Sequence, residues 1–281
     1  MKKLFLFTFL ISIFACKESP QQILFNSDRN GNSDIFLMNS DGTNVTPIVS
    51  SPYDEWAATY VNPTTITFLR QKRDAIARFN LDINTGEETL IAHPTACILD
   101  DKNAVFSRYG DQAYTCNGEI YISKNDENTH QKLELPFSGF SNYLAWSFNG
   151  KNILFTSNTS GNNDIYSIDI TTKEVKNLTD HPANDERGEL SPTGMYLAFS
   201  SNRHNSKDQD IYILNLKTNK VENITNSNGY ELITRWDVDG KSLLYGSNKD
   251  GNWEIYRYLL SDKTALRLTN NDAFDGDPRI Q

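Results

Sequence analysis

Short apolar runs that end in an aromatic residue recur along the chain with a period of about 44 residues. They occupy residues 23–25, 66–68, 104–106, 153–155, 197–199 and 243–245, so the spacings between their aromatic residues are 43, 38, 49, 44 and 46. Each run is bounded by Gly, Asn, Asp or Pro, which is the pattern of a β-strand between turns. We therefore expect a strand of the same kind in each of six repeats.

Two further registers complete the repeat. The second has an acidic residue, Ile and an aromatic residue at 34–36, 119–121, 164–166, 210–212 and 254–256, with a degenerate form at 75–77. The third ends in Thr at 177–179, 223–225 and 267–269, with weaker forms at 47–49 and 90–92. A period of this length is typical of a propeller blade. The sequence thus predicts an all-β fold, a six-bladed β-propeller with four-stranded blades.

The turns and the least regular strand of each repeat predict how the ring closes. Asn149-Gly150 and Asp239-Gly240 suit tight hairpins between first and second strands, because such turns need positive φ. First strands are expected at 53–60, 95–100, 139–147, 185–190 and 230–237, one fewer than the blades. Since the N-terminal repeat begins at its second strand, residues 274–280 should complete that blade and close the ring. The expected propeller covers residues 23–281.

The N-terminus has the pattern of an exported lipoprotein. A basic start at residues 1–3 precedes an apolar run at residues 4–14, which is too short to span a bilayer. Ala15-Cys16 follows and resembles a bacterial lipobox. We expect a signal peptide at residues 1–15, lipid attachment at Cys16 and a linker at residues 16–22. The alternative is an ordinary secretory signal with an incidental Cys.

Charge and cysteine content narrow the classes of partner. The net charge is −9, and cleavage of residues 1–15, which include Lys2 and Lys3, would make it −11. Such a chain repels nucleic acid and anionic lipid, so no nucleic-acid partner is expected, and membrane contact is expected through the lipid alone. Cys97 and Cys116 are the remaining cysteines; in an oxidising compartment they can form a disulfide, or they are two buried thiols.

The loops that enter the first strands carry an unusual number of carboxylates. These loops should meet at one mouth of the channel. If so, the negative field there would attract cations or basic segments. Alternatively, the carboxylates cap turns or pair with Arg187, Arg235 and Arg279. The candidate mouth residues are Asp54, Glu55, Asp185, Glu186, Glu231, Asp275 and Asp277.

Two patterns bear on metal binding. The loop from Asp28 to Asp34 has the oxygen spacing of a calcium loop, which recurs at 158–164 and 248–254, but it lacks the final bidentate Glu and equally suits a hairpin turn. His93-Pro94 and His181-Pro182 lie in equivalent loops two blades apart, where they are metal ligands or turn residues. No resident cofactor is expected.

Residues 25–39, 155–169 and 245–258 carry a family resemblance: they resemble the WD40-like (PD40) repeat of TolB proteins. The resemblance covers about residues 22–281 and implies a six-bladed propeller with a central channel. TolB proteins have an α/β domain before the propeller, for which this sequence leaves no room, and they are not lipidated. Oligogalacturonate lyases have similar propellers and bind a divalent metal through His residues.

These observations favour a non-catalytic, lipid-anchored propeller of the cell envelope. We expect a monomer at the outer membrane, facing the periplasm or the cell surface, that binds a protein or glycan through its loops or channel mouth. A metal-dependent polysaccharide lyase that uses His93, His181 and rim carboxylates is the alternative. An envelope scaffold related in role to TolB is a third hypothesis.

Overall fold

The protein is a ring of six antiparallel sheets. The computed structural model describes residues 21–73, 75–91, 97, 104–125, 129–204 and 207–280. Within these residues the chain forms 24 β-strands, arranged as six four-stranded sheets. The described part of the chain contains no helix of a length and apolarity that would cross a membrane. The predicted signal peptide at residues 1–15 and the predicted lipid site Cys16 lie outside the described residues.

The strands follow one another in blades of four. The first half of the chain forms β1 (Gln22–Ser27), β2 (Asp34–Asn39), β3 (Thr46–Val49), β4 (Asp54–Asn62), β5 (Thr65–Lys72), β6 (Ala75–Asp82), β7 (Glu88–Ile91), β8 (Val105–Phe106), β9 (Gln112–Cys116), β10 (Glu119–Ser123) and β11 (Gln131–Lys132). The second half forms β12 (Ser141–Trp146), β13 (Asn152–Ser157), β14 (Asp164–Asp169), β15 (Val175–Asn177), β16 (Asp185–Leu190), β17 (Tyr196–Ser201), β18 (Asp210–Asn215), β19 (Lys220–Asn223), β20 (Glu231–Trp236), β21 (Ser242–Ser247), β22 (Glu254–Leu259), β23 (Thr264–Arg267) and β24 (Asp275–Ile280).

Strand β24 closes the ring, as the sequence predicts. The sheet of the first blade has the order β24-β1-β2-β3, and the other blades use four consecutive strands. The first strand of every blade contacts the first strands of both neighbouring blades, so these six strands surround the central channel. The six-bladed, four-stranded propeller is therefore confirmed.

A stacked or tilted aromatic pair holds the second and third strands of each blade together. Phe25 and Phe36 in the first blade have ring centroids 5.7 Å apart, and Phe155 and Tyr166 in the fourth are 5.6 Å apart. Such pairs add about 0.5–1.5 kcal/mol each beyond their burial. The other four pairs are Phe68–Phe79, Tyr114–Tyr121, Phe199–Tyr212 and Tyr245–Tyr256.

The aromatic pairs correct two strand registers. In the third blade, Tyr114 on β9 occupies the position predicted for Phe106, and Val105–Phe106 is instead the first strand. In the second blade, Phe79 pairs with Phe68, so the degenerate register lies at residues 77–79 rather than 75–77. The predicted first strand at 95–100 falls almost wholly outside the described residues. A disulfide bond joins Cys97 to Cys116 of this third blade.

The apolar core lies between adjacent blades. One cluster joins Ile23 and Phe25 of the first blade to Leu244 and Ile255 of the sixth, and all four are fully buried. Similar clusters lie between the first and second, third and fourth, fourth and fifth, and fifth and sixth blades. Each blade thus depends on its neighbours for the burial of its faces.

The first strands contain a β-bulge at equivalent positions. In five of them the register against the second strand shifts next to a residue in the left-handed region, with φ between 50° for Tyr143 and 62° for Ile233. A bulge of this kind bends a strand and re-aims its side chains. The five bulge residues are Ala57, Tyr143, Arg187, Ile233 and Asp277.

Replacing Asp275 by Ala should destabilise the closure of the ring. The carboxylate of Asp275 is fully buried and lies 2.8 Å from the Arg29 guanidinium, which joins β24 to the chain that follows β1. Loss of one partner of a buried pair costs about 3 kcal/mol of unfolding free energy. Urea denaturation measures this loss, and Asp262→Ala in an exposed hairpin is the control. A loss no larger than that of the control would show that this ion pair does not stabilise the closure.

Candidate functional site

Four of the seven candidate mouth carboxylates are buried at the start of their strands. Glu55, Asp185, Glu231 and Asp275 have no exposed surface, because each lies beneath the loop that enters its first strand. They are therefore structural, and the predicted rim of seven open carboxylates is wrong for these four.

Three of the four buried carboxylates pair with arginines that follow the second strand or lie at its end. Asp185 is 2.5 Å from Arg203, and Glu55 is 2.6 Å from Arg70. The guanidinium of Arg203 also lies over the ring of Phe199, at 5.1 Å, so it links the carboxylate to the aromatic pair of its blade. Arg29 does the same in the first blade, 4.8 Å from the Phe36 ring. The predicted partners Arg235 and Arg279 are not used at these four positions.

The other three mouth candidates have separate surroundings. Asp54 is exposed and accepts a hydrogen bond from the Ser33 amide at 3.2 Å. Glu186 pairs with Arg187 at 2.7 Å, as the structural alternative predicted for that arginine. Asp277 is a bulge residue and lines the channel. No joint cation site of the seven residues is formed.

Glu231 differs from its equivalents because it has no arginine. Lys249 occupies the position of Arg203 in the sixth blade, and its ammonium lies over the Tyr256 ring at 4.5 Å. The Glu231 carboxyl instead accepts hydrogen bonds from the hydroxyls of Ser227 and Ser247. Burial raises the pKa of Glu231 to about 7, and the neighbouring Asp210 adds to the rise.

The loops with calcium-like spacing are tied into the joints between blades. The amide of Asn32 donates to the carbonyls of Ser51 and Tyr53, at 3.1 and 2.6 Å. Asn162 and Asn252 make the same two bonds in their blades. These side chains therefore connect each third strand to the loop that enters the next blade, which is the role of turn residues.

His181 is likewise part of a turn. Its Nδ1 accepts a hydrogen bond from the Ala183 amide at 3.0 Å, and its carbonyl accepts one from Asn162. The other candidate ligand, His93, lies outside the described residues. In the part of the chain that is described, no three His, Cys, Asp or Glu side chains lie close enough together to hold one metal ion.

A cavity of the channel opens at the opposite end of the first strands. We call this opening the hairpin mouth; it has a volume of about 470 Å³ and receives residues from all six blades. Trp146 and Trp236 form part of its walls, and each donates its indole N–H to a carbonyl of the preceding blade, Val105 at 3.3 Å and Glu189 at 3.0 Å. The tryptophans of the first strands therefore join adjacent blades and face the cavity.

Four hairpins of one geometry surround the hairpin mouth. Each joins a first to a second strand and ends in a Gly with positive φ, Gly110, Gly150, Gly194 or Gly240, whose amide donates to the carbonyl three residues earlier. The second residue of each hairpin lines the mouth; these residues are Arg108, Phe148, Pro192 and Val238.

The rim of the hairpin mouth is apolar and exposed. Phe148 is 41% exposed and Val238 is 47% exposed, while the neighbouring hairpins expose Tyr109 and Met195. The Arg108 guanidinium lies over the Phe148 ring at 4.5 Å. Exposed apolar residues that cluster around a cavity are typical of a binding surface.

The bulge residues form a narrower section of the channel above the hairpin mouth. All five line a space of about 230 Å³, which shares Val105, Leu144, Arg235 and Arg279 with the mouth below. Sequence reasoning named Asp277 and Arg187 but missed Ala57, Tyr143 and Ile233, because the bulge breaks the two-residue alternation of the strand. The sequence pattern that could have predicted the rim is the Ser or Asp that stands three residues before each hairpin Gly.

Comparison with solved structures identifies the fold. The chain is similar to TolB from Acinetobacter baumannii, with a TM-score of 0.80 and 19% identity over 92% of this chain and 66% of that one. It is similar to a putative TolB from Agrobacterium tumefaciens, with a TM-score of 0.69 and 15% identity over 93% of this chain and 98% of that one. The prediction of a TolB-like six-bladed propeller is thus confirmed, and the chain spans about two thirds of the A. baumannii protein.

The same architecture occurs in an enzyme. An oligogalacturonate lyase in complex with manganese matches with a TM-score of 0.54 and 14% identity, over 84% of this chain and 85% of that one. No model of a known protein family matches the sequence, and no curated protein does. At these identities the similarities show the fold, and function has to be argued from the site.

Replacing Glu231 by Gln should remove a pH-dependent loss of stability. Because the folded-state pKa of Glu231 is raised from 4.5 to about 7, the folded state holds this proton more tightly, and stability falls as pH rises between these values. At pH 8 the Gln variant should be more stable by on the order of 2 kcal/mol. Urea denaturation from pH 4.5 to 8 measures the difference.

Glu174→Gln, at an exposed position, is the matched control and should leave the pH profile unchanged. An identical pH slope in wild type and Glu231→Gln would contradict the raised pKa.

Proposed function

We propose that this protein is a non-catalytic binding module of the bacterial cell envelope that holds a partner protein at its hairpin mouth. The observation that carries the proposal is the rim of exposed apolar residues, in which Phe148, next to Arg108, and Val238 border a cavity walled by two tryptophans. Aromatic residues and arginine are enriched at the energetically important centres of protein interfaces. The cavity accepts side chains from a partner rather than a folded domain.

The envelope location rests on the sequence of the first 16 residues. The apolar run and Ala15-Cys16 favour export and lipidation at Cys16, which would tether the propeller to a membrane, facing the periplasm or the cell surface. The TolB-like fold is consistent with such a location.

A protein partner is favoured over a glycan by the chemistry of the rim. Glycans present many hydroxyl groups, and these need polar partners when they are buried. Among the exposed hairpin residues that line the mouth, Phe148 and Val238 are apolar and Arg108 is charged, and the walls below them add Leu190 and Ile280. A glycan remains the second occupant that an experiment has to distinguish.

Truncation of the rim should abolish partner capture. The propeller, residues 17–281, is immobilised, incubated with detergent-solubilised envelope extract, and crosslinked; bound proteins are identified by mass spectrometry. The variant Phe148→Ala/Val238→Ala should reduce capture of a specific protein by roughly tenfold or more, because hot-spot side chains contribute over 2 kcal/mol.

The control removes as many exposed apolar side chains elsewhere. Tyr230→Ala/Leu266→Ala changes residues that are 41% and 49% exposed, at the opposite face and on an outer strand. Capture that is lost in the control but kept in the rim variant would place the partner on another surface and refute the proposal. Selective retention of envelope polysaccharide instead of protein would favour the glycan.

A further inference from the structure

The charged residues of the channel are mainly cationic, in contrast to the chain as a whole. The chain has a net charge of −9. The hairpin mouth and the narrower section above it are nevertheless lined by four arginines and two carboxylates, Arg108, Arg187, Arg235, Arg279, Glu189 and Asp277. A cationic recess in an acidic protein concentrates the field on an anionic ligand.

Two of these arginines have an N–H group that donates no hydrogen bond to the described residues. The Nε groups of Arg235 and Arg279 are buried and have no hydrogen-bond partner among the described residues. Arg235 donates through Nη1 to the carbonyl of Thr234 at 2.7 Å and to Glu189 at 3.3 Å. Buried donors are almost always paired, so each of these N–H groups calls for an acceptor.

The nearby groups do not supply that acceptor. The Arg187 guanidinium donates hydrogen bonds to the Glu186 carboxylate at 2.7 Å and to the Tyr143 hydroxyl at 2.8 Å, so it is engaged away from Arg235 and Arg279. Glu189 accepts a hydrogen bond from the backbone N–H of Trp236 at 2.9 Å, and burial raises the pKa of Glu189. The four arginines that line the two sections outnumber their two carboxylates, Glu189 and Asp277, so the net charge of the lining is positive.

Both arginines lie at the inner end of the hairpin mouth. Each follows a bulge residue by two positions, Arg235 after Ile233 on β20 and Arg279 after Asp277 on β24, and these two strands are in contact. They line both the mouth of about 470 Å³ and the narrower section of about 230 Å³, so they lie where the two sections meet.

The smaller volume above the mouth, about 230 Å³ against about 470 Å³, favours a chain end over an internal segment. An internal segment must pass into the channel and back out, whereas a terminus enters as a single strand. A C-terminus ends in a carboxylate, which guanidinium groups bind with charge-assisted hydrogen bonds. Its last side chains would then lie against Trp146, Trp236 and Phe148.

We propose that Arg235 and Arg279 bind the α-carboxylate of a partner protein whose C-terminal residues enter the hairpin mouth. Capture of a C-terminal carboxylate is an established mode of peptide recognition, and here the apolar walls would select the side chains next to it. The inference rests on the proposed function and assigns the chemistry of the partner segment.

Peptides with free and amidated C-termini test the proposal. The probe is a library of N-acetylated hexapeptides, randomised at the last three positions and synthesised in both forms. Binding to residues 17–281 is measured by affinity selection and then by titration of selected peptides. We expect free-acid peptides with large apolar residues to bind roughly tenfold or more tightly than their amides.

Variants of the two arginines provide the specific readout. Arg279→Gln, and Arg235→Gln where thermal unfolding shows it to be folded, should abolish the preference for the free acid while the apolar selection persists. A merely structural role would lower both together. Lys263→Gln, an exposed charge change on an outer hairpin, should leave the preference intact.

Equal binding of acid and amide, or a preference that survives both arginine variants, would overturn the inference, as would the selection of no peptide. Binding of oligogalacturonate in place of peptides would overturn it in favour of an acidic glycan. Either result leaves the capture experiment above to decide separately whether the rim binds a protein.

Discussion

The left-handed residue in the middle of the first strands is the constraint on which the channel depends. None of the five bulge residues is Gly, and one of them, Ile233, is β-branched, so each holds a backbone conformation that costs about 1–2 kcal/mol. The surrounding ring maintains that conformation. The bulge divides each of these five strands into two halves. The leading side chain of the first half is buried under a loop, and side chains of the second half face the cavity.

In the first, second and fifth blades the buried half of the first strand is stabilised by a repeated arrangement of carboxylate, guanidinium and aromatic pair. In the first and fifth blades an arginine from the chain after the second strand occupies the centre of this arrangement. In the second blade Arg70 reaches the same place from within the strand. The sixth blade has a lysine at this position and two serine hydroxyls on the carboxyl of Glu231, and burial raises the pKa of Glu231 to about 7.

The blade number and the ring closure could be predicted because they depend on local patterns. Strands and turns can be recognised from adjacent residues, and the repeat from their spacing along the chain. Because the sequence offers five first strands for six blades, it implied that residues 274–280 belong to the N-terminal blade. The third blade was misread because Phe106 imitates the aromatic residue of a second strand, although Tyr114 fits the period better. The position of Cys97 next to Cys116 depends on how that blade folds.

The candidate site was harder to predict, for a physical reason. The sequence shows where carboxylates occur, but it does not show that Arg29 and Arg203 fold back onto them and bury their charge. It also conceals the bulge, which shifts the alternation so that Arg235 and Arg279 line the channel. The proposed binding surface therefore lies at the other end of the first strands from the acidic loops that carry the predicted mouth carboxylates.

The four hairpins around the mouth have a consequence for how binding specificity can evolve. Their fold is set by the Gly and by the Ser or Asp three residues before it, whereas the second residue differs in each, as Arg108, Phe148, Pro192 and Val238. The residues that make the turn are thus separate from the residue that meets the partner. Substitutions at the second position can change one sector of the rim at a time, which makes this propeller a scaffold for stepwise selection or engineering of new ligands.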